Sequence, residues 1–264
     1  MVRVESPSSI NTYKQCPRKY YYHYIEELPS SPSIHLIRGK IVHFVLENFF
    51  DIDNNIKTED DLQLHLMFLL EKTWAENQSE FMELDLDENK IKSYYNESKD
   101  MLNSWFSRFR RNLQANMEKG TTFHQAFKDM TPRREEEFSS EKHNVRGFID
   151  AIYESNGNAI ILDYKTSKKM ELTPEYRLQL GIYALMYHEK NGVLPAIVGI
   201  DFLRYPELLV QVDEQLVEDA KREVDWMHTK TVSTNLEDYP QKPSPLCKWS
   251  NGQCDYYKEC FGNL

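Results

Sequence analysis

Asp150, Asp163 and Lys165 are spaced so that one β-hairpin would gather two carboxylates and an amine on a single face. Two short apolar runs, one ending Gly147-Phe148-Ile149-Asp150 and one ending Ile161-Leu162-Asp163-Tyr164-Lys165, flank Ser155-Asn156-Gly157-Asn158. Asn-Gly between such runs signals a tight hairpin, because both residues tolerate the positive φ of a type I′ turn. With Asn156 and Gly157 as the loop, Ser155 pairs with Asn158 and, counting back, Asp150 faces Asp163. Side chains alternate along a strand, so Lys165 shares the face of Asp163. Like charges opposed on a sheet destabilise it. A divalent cation between them reverses that sign. Hard oxygen ligands hold Mg²⁺ or Mn²⁺, which can neutralise a phosphodiester and acidify a bound water. A lysine beside the ion can orient or deprotonate that water, or stabilise developing charge.

The bulk of the chain sets limits on its partners. It has 264 residues, 40% of them hydrophobic, which is enough for a sizeable core. The net charge of −10 weighs against a simple basic coat for nucleic acid, but not against an acidic site masked by its own ions. No apolar run reaches the roughly 18 residues of a membrane span. The first residues lack the apolar core of a signal peptide, and a cytoplasmic protein is expected. Four cysteines in such a protein are expected as buried thiols or metal ligands rather than disulfides.

The elements that must position the hairpin can be read in order. Ser6-Pro7 is a helix start, with Ser6 as N-cap and Pro7 where its missing N–H costs nothing; the helix runs through Ile10, Tyr13 and Cys16 until Pro17 interrupts it. Arg18 to Tyr24 is basic and aromatic. It would suit stacking on bases and pairing with phosphates, or form a half-buried helix with tyrosine hydroxyls at the surface. Arg38 to Phe50 is an apolar helix on which His43 and Glu47 share a face. Residues 59–130 show helical spacing, in Leu62, Leu66, Leu69 and Leu70 and again in Tyr94, Met101, Leu102, Trp105, Phe106 and Phe109. They read as a helical insertion before the sheet. Arg108, Arg110 and Arg111 form a basic cluster that would meet a phosphate backbone or face solvent. Arg133 to Phe138 opens the sheet. Glu135, Glu136 and Glu137 there could place a further carboxylate near the site, but strand exposure explains them as well, and they are left out of it. Thr173-Pro174 starts a helix that carries Gln179 and Tyr183 four apart on one face. Two strands at 195–205 and 208–212 and an amphipathic helix from Asp213 to about Lys230 follow. The tail from Leu236 is Pro-rich and bears cysteines.

The order Gly39-x-x-x-His43, Gly147-Phe148-Ile149-Asp150, Asp163-Tyr164-Lys165 and Gln179-Leu180-x-x-Tyr183 resembles the RecB-type branch of the PD-(D/E)XK nuclease superfamily. So do the opening Ser6-Pro7-Ser8-Ser9-Ile10 with Cys16-Pro17-Arg18-Lys19-Tyr20, and the late cysteines. The nearest patterns are the CRISPR-associated exonucleases and the AddB nuclease domain. The resemblance implies an α/β, restriction-endonuclease-like fold with a mixed central sheet flanked by helices. It implies one domain over 1–264, with 51–130 as a helical insertion and 1–20 joined to 240–264 by the cysteines. His43, Asp150 and Asp163 would be metal ligands for Mg²⁺ or Mn²⁺, Lys165 the catalytic lysine, and Gln179 and Tyr183 supports of the site.

Cys16, Cys247, Cys254 and Cys260 could hold Zn²⁺ or a [4Fe–4S] cluster, and spacing alone does not separate these. The resemblance favours the cluster, because iron–sulfur members join one early cysteine to three late ones. The six residues between Cys247 and Cys254 depart from the two usual there. The expected protein is a metal-dependent DNA nuclease, an exonuclease on single strands or free ends in DNA repair, recombination or CRISPR adaptation, with a helicase or adaptation proteins as partners. The alternatives are a structure-specific or RNA-active nuclease and a non-catalytic DNA-binding subunit.

Overall fold

A computed structural model describes residues 3–53, 55–155, 157–250 and 252–262. The chain opens with α1 (Pro7–Gln15) and α2 (Pro17–Tyr20), then a π-helical turn at Tyr21–Ile25. α1 starts as its sequence dictates: Ser6 Oγ accepts from the Ser9 amide, Ser9 Oγ accepts from the Ser6 amide, and Pro7 fills the first position. α3 (Ile34–Asn48), α4 (Glu59–Glu76), α5 (Gln78–Met82), α6 (Glu88–Met117) and α7 (Phe123–Asp129) precede β1 (Arg133–Ser140), β2 (Val145–Ser155) and β3 (Asn158–Lys165). α8 (Pro174–Asn191), β4 (Ile197–Phe202), β5 (Leu208–Gln211) and α9 (Glu214–Lys230) complete the main body. A short hairpin of β6 (Lys248–Trp249) and β7 (Gly252–Gln253) leads to α10 (Tyr257–Phe261).

The five-stranded sheet has the order β1-β2-β3-β4-β5. All neighbours are antiparallel except β3 and β4, which run parallel because α8 carries the chain back between them. The sheet is therefore mixed and flanked by helices, as expected. One face packs on α1, α8 and α9 through Ile149, Ile152, Ile161, Tyr183 and Val198. The other packs on α3, α4, α6 and α7 through Ala151, Leu162, Tyr164 and Leu203. The helices of residues 59–130 thus cover the second face. Met101, Leu102, Trp105, Phe106 and Phe109 are buried there, while Leu69 and Tyr94 are only half-buried.

Several expectations change in detail. α3 begins at Ile34 rather than Arg38, with Ser33 capping it. β1 continues to Ser140, so the turn before β2 is only Glu141–Asn144. Tyr20 is buried and its hydroxyl donates to Glu5 Oε1 at 2.6 Å, so it faces neither solvent nor a nucleobase. Arg108 does not form an outward basic cluster. It pairs with the buried Asp201 and donates to the Leu203 carbonyl at 3.1 Å, while Arg110 pairs with Glu59. A buried carboxylate needs its counter-charge, and that need takes Arg108 inward. Asn156 lies outside the described residues, but Gly157 has the positive φ, 77°, that the turn requires. Among the described residues no helix is long and apolar enough to cross a membrane.

β4 lies in the middle of this sandwich, and Gly199 keeps it close to its neighbours. A Cβ there would stand 2.8 Å from Leu209 Cδ2 and 2.9 Å from the Leu208 carbonyl oxygen. The carbonyl belongs to the ladder and cannot swing aside. Gly199→Ala is expected to destabilise the protein by about 1–3 kcal/mol, measured as a lower midpoint in urea. In contrast, a Cβ at Gly39 meets nothing within 4 Å, and Gly39→Ala in α3 is expected to hold or raise the midpoint.

Candidate metal-binding active site

The hairpin register is the expected one. Pairs run from Ser155↔Asn158 to Ala151↔Leu162, and the next pair inward would be Asp150 and Asp163. Here the regular ladder gives way to the Asp150 carboxylate: Oδ2 accepts from the Tyr164 amide at 2.6 Å. The alternation of faces breaks at the same level. Ile149 and Ile152, three apart, both enter the core under α8, whereas Ala151 enters the other.

On the far side of β2 the pairs Arg134↔Ala151 and Glu136↔Ile149 bracket Glu135 and Asp150. Glu135 has a φ of 45°. A non-glycine residue in the left-handed region costs about 1–3 kcal/mol and persists where the surroundings fix it. The twist turns Glu135 toward α3. There His43 Nδ1 stands 3.3 Å from Asp150 Oδ1 and 3.9 Å from Glu135 Oε1. His43, Glu135 and Asp150 each offer one ligand atom, and these atoms all lie within 4.8 Å of one another.

Asp163 is buried at the same level of β3 and is held from the opposite layer. Gln179 Nε2 donates to its Oδ1 at 2.8 Å and to the Tyr183 hydroxyl at 2.8 Å, and that hydroxyl points at the same Oδ1 at 3.3 Å. Lys165 Nζ lies 2.5 Å from Oδ2 as an ion pair. Lys165 engages one lone pair of Oδ2, and a carboxylate oxygen has a second to offer. The three-residue group therefore differs from the expected His43, Asp150 and Asp163. Glu135 belongs to it, and Asp163 stands beside it on the α8 side.

The charges fit a cation. Burial, then Asp150, pushes the Glu135 carboxyl up to about 7. Burial also raises Asp163, with Lys165 opposing and Asp150 adding to the rise. Burial would raise Asp150 too, but the His43 imidazole and the Tyr164 amide outweigh it, and its pKa falls below the ordinary value. His43 is held above its usual value because Asp150 outweighs the effect of burial. Lys165 rises for the same kind of reason, with Asp163 its main counter-charge. Three carboxylates thus share one histidine and one lysine, and a divalent ion would supply the missing positive charge.

Glu135 is the residue that reading the sequence missed. The available signal was register. A four-residue connection joining Ser140 to Val145 brings Glu135 opposite Asp150, but ending β1 at Phe138 discards that count.

The cysteines gather elsewhere. Cys16, Cys247, Cys254 and Cys260 line one cavity, with Lys19, Leu246, Tyr256 and Phe261 around them. The tail reaches this place through Arg18 Nε to the Tyr239 carbonyl at 2.7 Å, and His23 Nδ1 lies 2.7 Å from the Tyr256 hydroxyl. Burial, then the neighbouring Cys16 and Cys254, pushes the Cys260 thiol up to about 11. Among the described residues no three of these sulfurs lie within 4.8 Å of one another.

Mn²⁺ is expected to raise the thermal midpoint of the protein, since an ion that binds only the folded chain stabilises it. Glu135→Gln and Asp150→Asn should shrink that rise. Protons compete for the same ligands. Glu135 is protonated below its raised pKa of about 7, so the Mn²⁺ effect should be full above that pH and fade as pH falls through it. A rise equal in all variants and at all pH values would place the ion elsewhere.

The solved structures similar to this chain include a crystal structure from Eubacterium rectale named a "putative exonuclease". It shares the fold with a TM-score of 0.55 at 10% identity, over 100% of this chain and 94% of that one. No protein among the curated sequences matches. The profile of the PD-(D/E)XK nuclease superfamily matches residues 5–261, spanning every element of the site and the cysteine tail. The chain belongs to the PD-(D/E)XK nuclease superfamily.

Proposed function

We propose that the protein is a divalent-metal-dependent DNA nuclease of the RecB-like branch, one domain over residues 1–264, acting as an exonuclease on single strands or free ends. The observation that carries this reading is the Asp163–Lys165 ion pair set directly against the His43, Glu135 and Asp150 group. His43, Glu135, Asp150 and Asp163 would hold Mg²⁺ or Mn²⁺. Bound there, the ion supplies charge neutralisation at the phosphate and an acidified water.

The chain's own residues divide the remaining work. Gln179 and Tyr183 fix the Asp163 carboxylate through its Oδ1, while Lys165 holds its Oδ2. Lys165 keeps its proton, because Asp163 outweighs its burial. Beside the ion it would orient or help deprotonate the attacking water, or act as a cation on the charge that develops on the phosphate. Tyr164 contributes its backbone amide, which orients Asp150, and its ring meets the His43 imidazole edge-on at 6.1 Å between centroids.

For the cysteines the reading is a [4Fe–4S] cluster on Cys16, Cys247, Cys254 and Cys260. The common cavity supports a shared metal group, and the likeness of one early and three late cysteines to iron–sulfur members favours the cluster over Zn²⁺. Its part would be structural, joining the N-terminal helices to the tail. The context inferred is DNA repair, recombination or CRISPR adaptation in the cytoplasm, with a helicase or adaptation proteins as candidate partners.

Asp163→Asn and Lys165→Ala are expected to lower cleavage of end-labelled single-stranded DNA by about 10²–10⁴-fold, with unchanged circular dichroism. Full activity in both variants would overturn the site. Circular single strands should resist while linear ones are degraded; cutting both equally would indicate an endonuclease. Anaerobically purified protein should be brown and lose its colour in Cys16→Ser or Cys260→Ser. A colourless protein with stoichiometric zinc would overturn the cluster.

A further inference from the structure

The parallel pair β3 and β4 ends at one edge of the sheet, with Lys165 opposite Phe202. Ligands of α/β sheets bind beyond the carboxyl ends of parallel strands. Just beyond that edge, four charged side chains converge. Glu97 of α6 receives Arg38 of α3 at 2.8 Å, Lys168 at 2.9 Å and Arg204 at 3.4 Å. Lys168 follows β3 and Arg204 follows β4. Arg38 also donates to the carbonyl of Thr166, the residue after Lys165, at 3.4 Å.

One carboxylate does not balance three cations. The surplus stands out in a chain of net charge −10. Arg38 is 4% exposed, and its Nε and that of Arg204 are buried without a hydrogen-bond partner. Buried guanidinium donors left unmade are costly. His35, on the same helix, is held below its ordinary value first by burial, then by Arg38 and Lys168, and Glu97 does not cancel them. Lys168 is 65% exposed on its side chain and Arg204 24%, so both can reach a ligand from solvent.

The cluster and the metal-binding group are linked by α3. Arg38 precedes His43 by five residues, about 7.5 Å of helix axis. Between them lies Gly39, one turn before His43, where nothing stands within 4 Å of a would-be Cβ.

We propose that Lys168 and Arg204, gathered on Glu97 and backed by the buried Arg38, bind the phosphate adjoining the one held at the metal site. The ligand is thus a nucleic-acid strand with at least two consecutive phosphodiesters. Glu97 acts as the resident counter-anion that keeps the cations together before a strand arrives. This inference rests on the nuclease reading above.

The test is binding of a fluorescein-labelled oligothymidylate to the full chain in Ca²⁺, followed by anisotropy over a range of salt. Each lost contact with a single strand should reduce the slope of log K against log salt by about 0.7. Lys168→Ala and Arg204→Ala should each show that reduction, and Lys168→Arg should restore it. In Mn²⁺, the alanine variants should lose more activity on the oligonucleotide than on bis(p-nitrophenyl) phosphate, which has no second phosphate. Wild-type slopes in both alanine variants, or equal losses on the two substrates, would overturn the proposal while leaving the nuclease intact. A wild-type protein that cleaves neither substrate would overturn the nuclease reading itself.

Discussion

Three carboxylates brought to one level of three adjacent strands are the constraint to which the rest of this fold answers. Glu135, Asp150 and Asp163 stand side by side across β1, β2 and β3, largely out of water. Such an arrangement is unfavourable unless each group is separately answered. The answers come from every direction. α3 sends His43 from one layer, α8 sends Gln179 and Tyr183 from the other, the Tyr164 amide turns aside from the regular ladder, and Lys165 closes the edge. The two helical layers are thus more than covers for apolar faces. Each delivers a polar group to the same point, which fixes how the layers sit on the sheet.

The departure from regular strand geometry follows from this constraint. A sheet that kept strict alternation could not have sent Ile149 and Ile152 into the same core. Glu135 in the left-handed region is the local cost of turning two opposed residues toward α3. Left-handed backbone and buried like charge coincide at this place, whereas the other described non-glycine residues with positive φ, Glu27 and Asn144, lie in connections between elements. That division is expected when a site, rather than the scaffold, has been optimised for something other than stability.

Much of this was legible in the residues. Asn-Gly fixed the hairpin register because few residue pairs tolerate that turn, and Ser6-Pro7 and Thr173-Pro174 marked helix starts for equally local reasons. The spacing of Gln179 and Tyr183 placed both on one helical face, and both meet Asp163. What was not legible depends on contacts between distant segments. Arg108 read as a surface cation because nothing in its neighbourhood announces Asp201, 93 residues on. Tyr20 read as surface-tipped because its partner is a buried Glu5 in a segment with no pattern of its own. Glu135 was hidden among three identical residues whose roles differ only through register: Glu136 pairs with Arg133 and Lys190, while Glu135 turns to His43.

The hydrogen bonds that tie the tail to the opening helices also bear on how the molecule comes apart. Arg18 holds the carbonyl of Tyr239, Tyr22 that of Glu259, and Lys242 that of Lys14. The opening helices and the tail segment are thus each other's neighbours, and these contacts close the chain between them into a ring. Opening should then begin within that ring, at a loop or a helix edge.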